Sequence, residues 1–165
     1  MTVIRDIMKI NVKHSLKTSV AEAFKACTEV KSLEATYSGL GGSDIKIKRD
    51  GRAPNLRIRI ARKMPANPPA AIRRFVPSTN DVSHTEDWRA DDDGHVADIV
   101  VDIKGVPINM KGTKTLRPEK GGCVIEWSFE VTSGVPLLGG LLAAFGAEQL
   151  KGNLEDEYRI LKSML

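Results

Sequence analysis

Cysteine and histidine are scarce in this chain of 165 residues, with two of the first and three of the second. Cys27 and Cys123 form no CxxC pair and share no metal-ligand spacing with His14, His84 or His95, so no metal site and no cofactor are expected. Two thiols in an otherwise unstapled chain read as reduced, which points to the cytoplasm. Long hydrophobic runs are absent as well. Spanning a bilayer takes about 20 apolar residues, and the most apolar segment, GVPLLGGLLAAFGA at residues 134–147, is 14 long with four glycines. That segment also lacks the Gly-Lys-Ser/Thr ending of a phosphate loop. The opening MTVIRDIMKI is interrupted by Arg5, Asp6 and Lys9, so it has no signal-peptide core. Asp91, Asp92 and Asp93 are not followed by the ligand spacing of an EF-hand, which extends over about 12 residues. No serine or cysteine has an identifiable base beside it in sequence.

What is present is ordinary for a globular protein: 41% hydrophobic and 28% charged residues, enough for one domain over residues 1–165 with a substantial core. Charge is uneven. Residues 1–74 hold 16 Lys/Arg against 6 Asp/Glu, and residues 75–165 hold 9 against 15. The densest basic part, KIKRDGRAPNLRIRIARK at residues 46–63, alternates charge with apolar residues and has no aromatic on which a base could stack. It reads as the solvated face of a hairpin, with Leu56, Ile58 and Ile60 inward and Arg57, Arg59 and, beyond them, Arg62 outward. A nucleic-acid partner is not expected. An interaction module using this basic face stands as a lesser alternative.

Periodicity organises the chain. IMKINVKHSL, residues 7–16, alternates as a strand, with Met8, Ile10, Val12, His14 and Leu16 on one face. SVAE at residues 19–22 is a capping-box pattern opening a short helix, and a second helix at about residues 29–38 stops at GLGG. Period-two segments then follow to residue 131. Across the Asp91–Gly94 turn, Ala90 faces His95, so Trp88 meets Ala97, Glu86 meets Ile99 and His84 meets Val101. Ile108, Met110, Gly112, Lys114 and Leu116 share a face of the next strand. Ile125, Trp127, Phe129 and Val131 face inward on the last, which puts Gly112 opposite Phe129 and leaves room there for a cavity. A long C-terminal helix carries an apolar stripe of Leu150, Leu154, Tyr158, Leu161 and Leu165.

This order (strand, two short helices, six antiparallel strands, long helix) requires the apolar face of the sheet and the stripe of the helix to cover each other. The chain resembles the START-like, or SRPBCC, helix-grip superfamily of birch-pollen-allergen type, and within it an uncharacterised bacterial domain of unknown function. The resemblance rests on His14-Ser15 leading into SVAEAF, on IRRFVP at residues 72–77, on Glu86, Asp87 and Trp88, and on VPLLGG before Ala147, Glu148 and Gln149. It implies an α+β fold: a curved seven-stranded antiparallel sheet wrapped around a long C-terminal helix, with two short helices between strands 1 and 2. It further implies a small hydrophobic or amphipathic, lipid-like ligand between sheet and helix, or a cyclase, hydrolase or dehydratase built on that cavity.

The expected walls are Val82, Trp88, Ile99, Val101, Met110, Trp127 and Phe129, with Leu138, Leu142 and Phe145 on the lid side. His84 and Glu86, adjacent on one strand face, would orient the polar end of the ligand, and they are the only catalytic candidates. Among apolar neighbours the Glu86 carboxyl is expected to have a raised pKa, unless Lys114 pairs with it. His14 reads as a satisfied rim residue and His95 as exposed beside its turn. Residues 134–147 read as a mobile lid in which Leu137 and Leu138 cover one end of the sheet and Leu141, Leu142 and Phe145 face it.

Overall fold

The computed structural model describes residues 6–165, so the Arg5 end of the N-terminal reading lies outside the described residues. The elements run β1 (Asp6–Leu16), α1 (Val20–Thr28), α2 (Val30–Gly39), β2 (Ser43–Arg52), β3 (Asn55–Pro65), β4 (Thr79–Asp91), β5 (Gly94–Ile103), β6 (Asn109–Glu119), β7 (Gly122–Ser133) and α3 (Gly139–Met164). A 3₁₀ turn, Ala70–Ile72, interrupts the link between β3 and β4. The seven strands form one antiparallel sheet in the order β1-β7-β6-β5-β4-β3-β2. Consecutive strands from β2 to β7 are joined as hairpins, and β1 closes the far edge against β7. This is the helix-grip α+β fold: a curved sheet, two short helices between the first two strands, and a long helix lying in the concavity.

Local sequence explains the elements. Ser19 Oγ accepts from the Glu22 N–H at 3.1 Å and caps α1. The β4–β5 register pairs Trp88 with Ala97, Glu86 with Ile99 and His84 with Val101, as the four-residue turn dictates. On β7 the buried positions alternate through Cys123, Ile125, Trp127, Phe129, Val131 and Ser133. Facing them, α3 buries Leu142, Ala143, Ala147, Leu154 and Leu161. The stripe ends earlier than its spacing suggests, because Leu165, the residue that caps the C-terminus of α3, is exposed. Met8 is likewise largely exposed, at the open end of edge strand β1.

Two glycines set close approaches. Gly112 does not leave a void: a Cβ there would run into the Ser128 carbonyl and lie 2.7 Å from Phe129 Cγ, so the ring of Phe129 occupies that space. Gly146 is where α3 crosses nearest the sheet, since a Cβ would sit 3.0 Å from Ile108 Cγ2 and 3.2 Å from Met110 Cε. Leu137, by contrast, is a non-glycine residue at φ 66°, fully exposed to solvent and covering nothing. Leu141 also faces solvent, while Leu142 is completely buried. Only part of the 134–147 segment therefore lies on the sheet.

Gly112→Ala should destabilise the protein by about 1–3 kcal/mol, as overpacking against backbone does. The check is urea unfolding, with the midpoint falling and the slope unchanged.

Candidate functional site

Five elements deliver polar side chains into the space between sheet and helix: Tyr37 from α2, Arg62 from β3, His84 and Glu86 from β4, Lys114 from β6 and Glu157 from α3. Arg62 is there because the face of β3 that buries Leu56, Ile58, Ile60 and Met64 includes every second residue, and position 62 falls among them. The outward placement expected for Arg62 is thus corrected by parity.

The hydrogen bonds form one connected set. Glu86 accepts from Trp88 Nε1–H at 3.0 Å through Oε1, and Oε2 is 2.9 Å from His84 Nε2. Arg62 Nη1 contacts His84 Nδ1 and also donates to the Ile60 carbonyl at 3.2 Å. A guanidinium has only donors, so Nδ1 is the acceptor and the imidazole proton resides on Nε2, where it is donated to Glu86. The Tyr37 hydroxyl lies 3.3 Å from that Nε2 and donates to Glu157 Oε1 at 3.3 Å. Lys114 Nζ donates to Glu157 Oε2 at 3.2 Å, and its ammonium lies 5.4 Å from the Trp127 ring centroid. Lys114 therefore pairs with the helix carboxylate and not with Glu86.

Protonation states follow. Burial alone would push the Glu86 carboxyl up, but the His84 hydrogen bond, the Lys114 charge and the Trp88 hydrogen bond outweigh it and hold the pKa at about 2. The expected upward shift is reversed because the neighbours are donors and not only apolar walls. Burial and the Arg62 charge pull the His84 pKa down, keeping the imidazole neutral. Burial works against the Lys114 ammonium, yet the surrounding acidic groups raise its pKa overall. Burial pushes the Tyr37 phenol and the Cys27 thiol up, the latter to about 11. Cys27 is accordingly an unreactive, protonated thiol.

Two adjoining chambers lie beside this set. The larger, about 100 Å³, is walled by Val76, Val82, Val101, Ile103, Val106, Ile108, Met110 and Phe145, with Arg62, Asn80, Gln149 and Asn153 as polar members. The smaller, about 60 Å³, is walled by Tyr37, His84, Glu86, Ile99, Trp127, Phe129, Leu154 and Glu157. Arg62, Met64, Val101, Leu150 and Asn153 border both. Of the residues expected around a ligand, Val82, Val101, Met110 and Phe145 meet the first chamber, and His84, Glu86, Ile99, Val101, Trp127 and Phe129 the second. Trp88, Leu138 and Leu142 border neither: Trp88 is held by Glu86, Leu142 is core, and Leu138 packs at the margin of the core. Tyr37, Asn153 and Glu157 were not expected at the site, and Arg62 was expected on the opposite face. The alternation through Ile58 and Ile60 was a signal for Arg62, and the i, i+3 spacing from Leu154 to Glu157 was one for Glu157.

Elsewhere, His14 sits at the rim with Nε2 2.7 Å from Glu155 Oε2, and its ring stacks on Tyr158. His95 is not simply exposed: its ring stacks on Phe24 with centroids 3.9 Å apart. On the convex face, the basic β2–β3 hairpin abuts β4, with β5 beyond it. Arg57 is paired with Asp87, and Asp44, Asp81 and Asp102 share a groove with Lys46, Arg59, Lys63 and Lys104. Among the described residues no cluster of three or more His, Cys, Asp or Glu could hold a metal ion, and no helix is long and apolar enough to cross a membrane.

Two outcomes are expected. Lys114→Met should cost about 3–5 kcal/mol by leaving Glu157 buried without its cation, and the Lys114→Met, Glu157→Leu double variant should recover most of that loss in thermal melts. For acid, a depressed Glu86 pKa means that its stabilisation is present above the ordinary value of 4.5 and is lost as pH falls towards about 2. His84, kept neutral, adds a loss that begins below 6.5. Glu86→Gln should flatten the lower part of the stability–pH curve and leave the part near pH 6 in place.

The fold has many solved counterparts. A protein from Thermus thermophilus superposes with a TM-score of 0.66 at 16% identity, covering 94% of this chain and 95% of that one. Ara h 8.0201 gives 0.63 at 15%, with 96% and 97% covered. Norcoclaurine synthase from Thalictrum flavum, in complex with dopamine and hydroxybenzaldehyde, gives 0.56 at 13%, with 97% and 87% covered. At these identities the likeness concerns the fold. No curated protein matches the chain in sequence. The family described as "Protein of unknown function (DUF2505)" matches residues 11–165, and the chain belongs to that family.

Proposed function

We propose that this protein binds a small apolar or amphipathic molecule between the sheet and α3. The observation that carries the reading is the pair of adjoining chambers between sheet and α3, one mainly apolar and one lined by polar groups, which share Arg62, Met64, Val101, Leu150 and Asn153 in their walls. An apolar cavity of roughly 150 Å³ is enough to take up benzene. A ligand of one ring or a short chain therefore suits the present volume, and pockets for larger ligands, of about 300 Å³ and above, require α3 to shift. Norcoclaurine synthase offers a parallel in the same fold, since its structure holds dopamine and hydroxybenzaldehyde. The buried, unpaired thiols Cys27 and Cys123 fit a reducing compartment such as the cytoplasm.

Binding is favoured over acid–base catalysis by the state of the polar groups. A carboxylate with a pKa of about 2 is a poor base near neutral pH. Both oxygens of Glu86 and both nitrogens of His84 already have partners. A cyclase, hydrolase or dehydratase built on this pair would first have to break that set. The basic-face alternative is weakened by the acidic residues beside it, since Asp87 pairs with Arg57 and Asp44, Asp81 and Asp102 share a groove with four of the cations.

The test combines native mass spectrometry of the purified protein with a methyl NMR titration by hexan-1-ol. Saturable shifts at Val82, Val101 and Met110 are expected. Val101→Phe, which adds bulk where the chambers join, should weaken hexan-1-ol by at least about tenfold and leave the melting temperature equal or higher. If no small molecule co-purifies and hexan-1-ol shifts no cavity methyl, the cavity is only a packing defect.

A further inference from the structure

The geometry points to a carboxylate as the polar group of the ligand, bound by Arg62 where the two chambers meet. This rests on the cavity reading above and adds the chemical class. Arg62 is the one cation of the site, among the described residues, whose charged group touches no carboxylate. Its Nη1 is spent on neutral acceptors, His84 Nδ1 and the Ile60 carbonyl. Its planar group lies 4.6 Å from the Tyr37 ring centroid. Its Nε is buried and has no hydrogen-bond partner. Buried charges are ordinarily paired, and an orphaned charged donor costs more than a neutral one.

The unused edge of this guanidinium, Nε with Nη2, is the fork that accepts a carboxylate side-on. The same strand shows that fork in use: Arg57 Nε lies 2.7 Å from Asp87 Oδ1 and Nη2 lies 3.2 Å from Oδ2. Asp87 supplies that partner on the convex face, and no described residue supplies it on the concave face. Lys114 is paired with Glu157 and Glu86 is held by the neutral donors His84 and Trp88, so the four formal charges of Arg62, Lys114, Glu86 and Glu157 sum to zero while the guanidinium of Arg62 has no direct anionic partner. A single added negative charge is the least that fills its fork. A dianion such as a phosphate monoester would face Glu86 and Glu157, both bordering the small chamber. Asn153, which borders both chambers, is positioned to add a neutral hydrogen bond. The tail would lie in the larger chamber between Val82, Met110 and Phe145.

The experiment compares hexanoate, hexan-1-ol and hexyl phosphate by calorimetry and methyl NMR on the full chain. Wild type should bind hexanoate roughly ten- to a hundredfold more tightly than hexan-1-ol, the range for a hydrogen bond to a charged group, with hexyl phosphate weaker than hexanoate. Arg62→Met should abolish the preference for hexanoate with hexan-1-ol affinity retained. Arg62→Lys, which keeps the charge without the fork, should retain only part of the preference. Equal binding of hexanoate and hexan-1-ol by wild type overturns the carboxylate assignment and leaves the cavity reading standing, as does tighter binding of hexyl phosphate. An unchanged preference in Arg62→Met overturns the role of Arg62. Failure of every probe to shift the cavity methyls overturns both readings. The wild-type comparison needs no variant, so it decides the ligand class even if Arg62→Met does not fold.

Discussion

Glu157 is carried into the concavity by the apolar stripe of α3, and the structure beneath the helix depends on how that carboxylate is met. Left alone it would cost several kcal/mol. Lys114 from β6 and Tyr37 from α2 meet its two oxygens, so three elements distant in sequence are tied at one point. Such an ion pair contributes little net stability compared with apolar packing, because desolvation consumes most of the attraction. Its effect is positional. A rotation or slide of α3 would separate Glu157 from both partners, whereas apolar contacts of similar area would tolerate a slide.

With the helix placed, the polar chamber follows. Tyr37 hands its hydrogen to Glu157, so its oxygen lies beside the His84 Nε2–H already directed at Glu86. Arg62 fixes the tautomer from the other side of the ring. The set satisfies Glu86 and Glu157 but leaves the buried Arg62 Nε without a partner. The apolar chamber arises from a different constraint. Gly146 lets α3 approach Ile108 and Met110 closely, and Phe145, its neighbour, forms a wall of that chamber. One end of the space is thus specified by hydrogen bonds and the other by shape.

Much of this was legible from period and turn length. The Asp91–Gly94 turn placed His84 and Glu86 on the concave face in the register observed, and the amphipathic spacing of α3 required a sheet beneath it. Side-chain pairing across the fold was not legible. Lys114 was visible on an inward face, but its partner lies 43 residues away on the helix, and nothing local indicates which of two inward carboxylates it meets. The pKa direction of Glu86 failed for the same reason, since apolar neighbours alone raise a carboxyl whereas an imidazole and an indole N–H lower it. Arg62 was legible by strict alternation and was missed because charge was given more weight than parity. Gly112 was misread because an absent side chain need not leave a hole when the opposing ring can fill it.

The anchors of α3 are unevenly distributed along it. Glu155, Glu157 and Tyr158 in its second half reach His14, Lys114 and Tyr37, and the Ser15 carbonyl. Its first half holds the sheet through apolar contacts, begins with Gly139 and Gly140 without a side-chain cap, and leaves Leu141 in solvent. Apolar contacts change gradually with small displacements, while charged hydrogen bonds in a low-dielectric interior are lost steeply. Enlarging the larger chamber by lifting the first half of α3 therefore costs less than enlarging the smaller one, which would break the Glu157 pairs. On this reasoning the tail end of the site is adaptable and the Arg62 end is rigid, so ligands should be discriminated more sharply by their polar group than by the length of their apolar part.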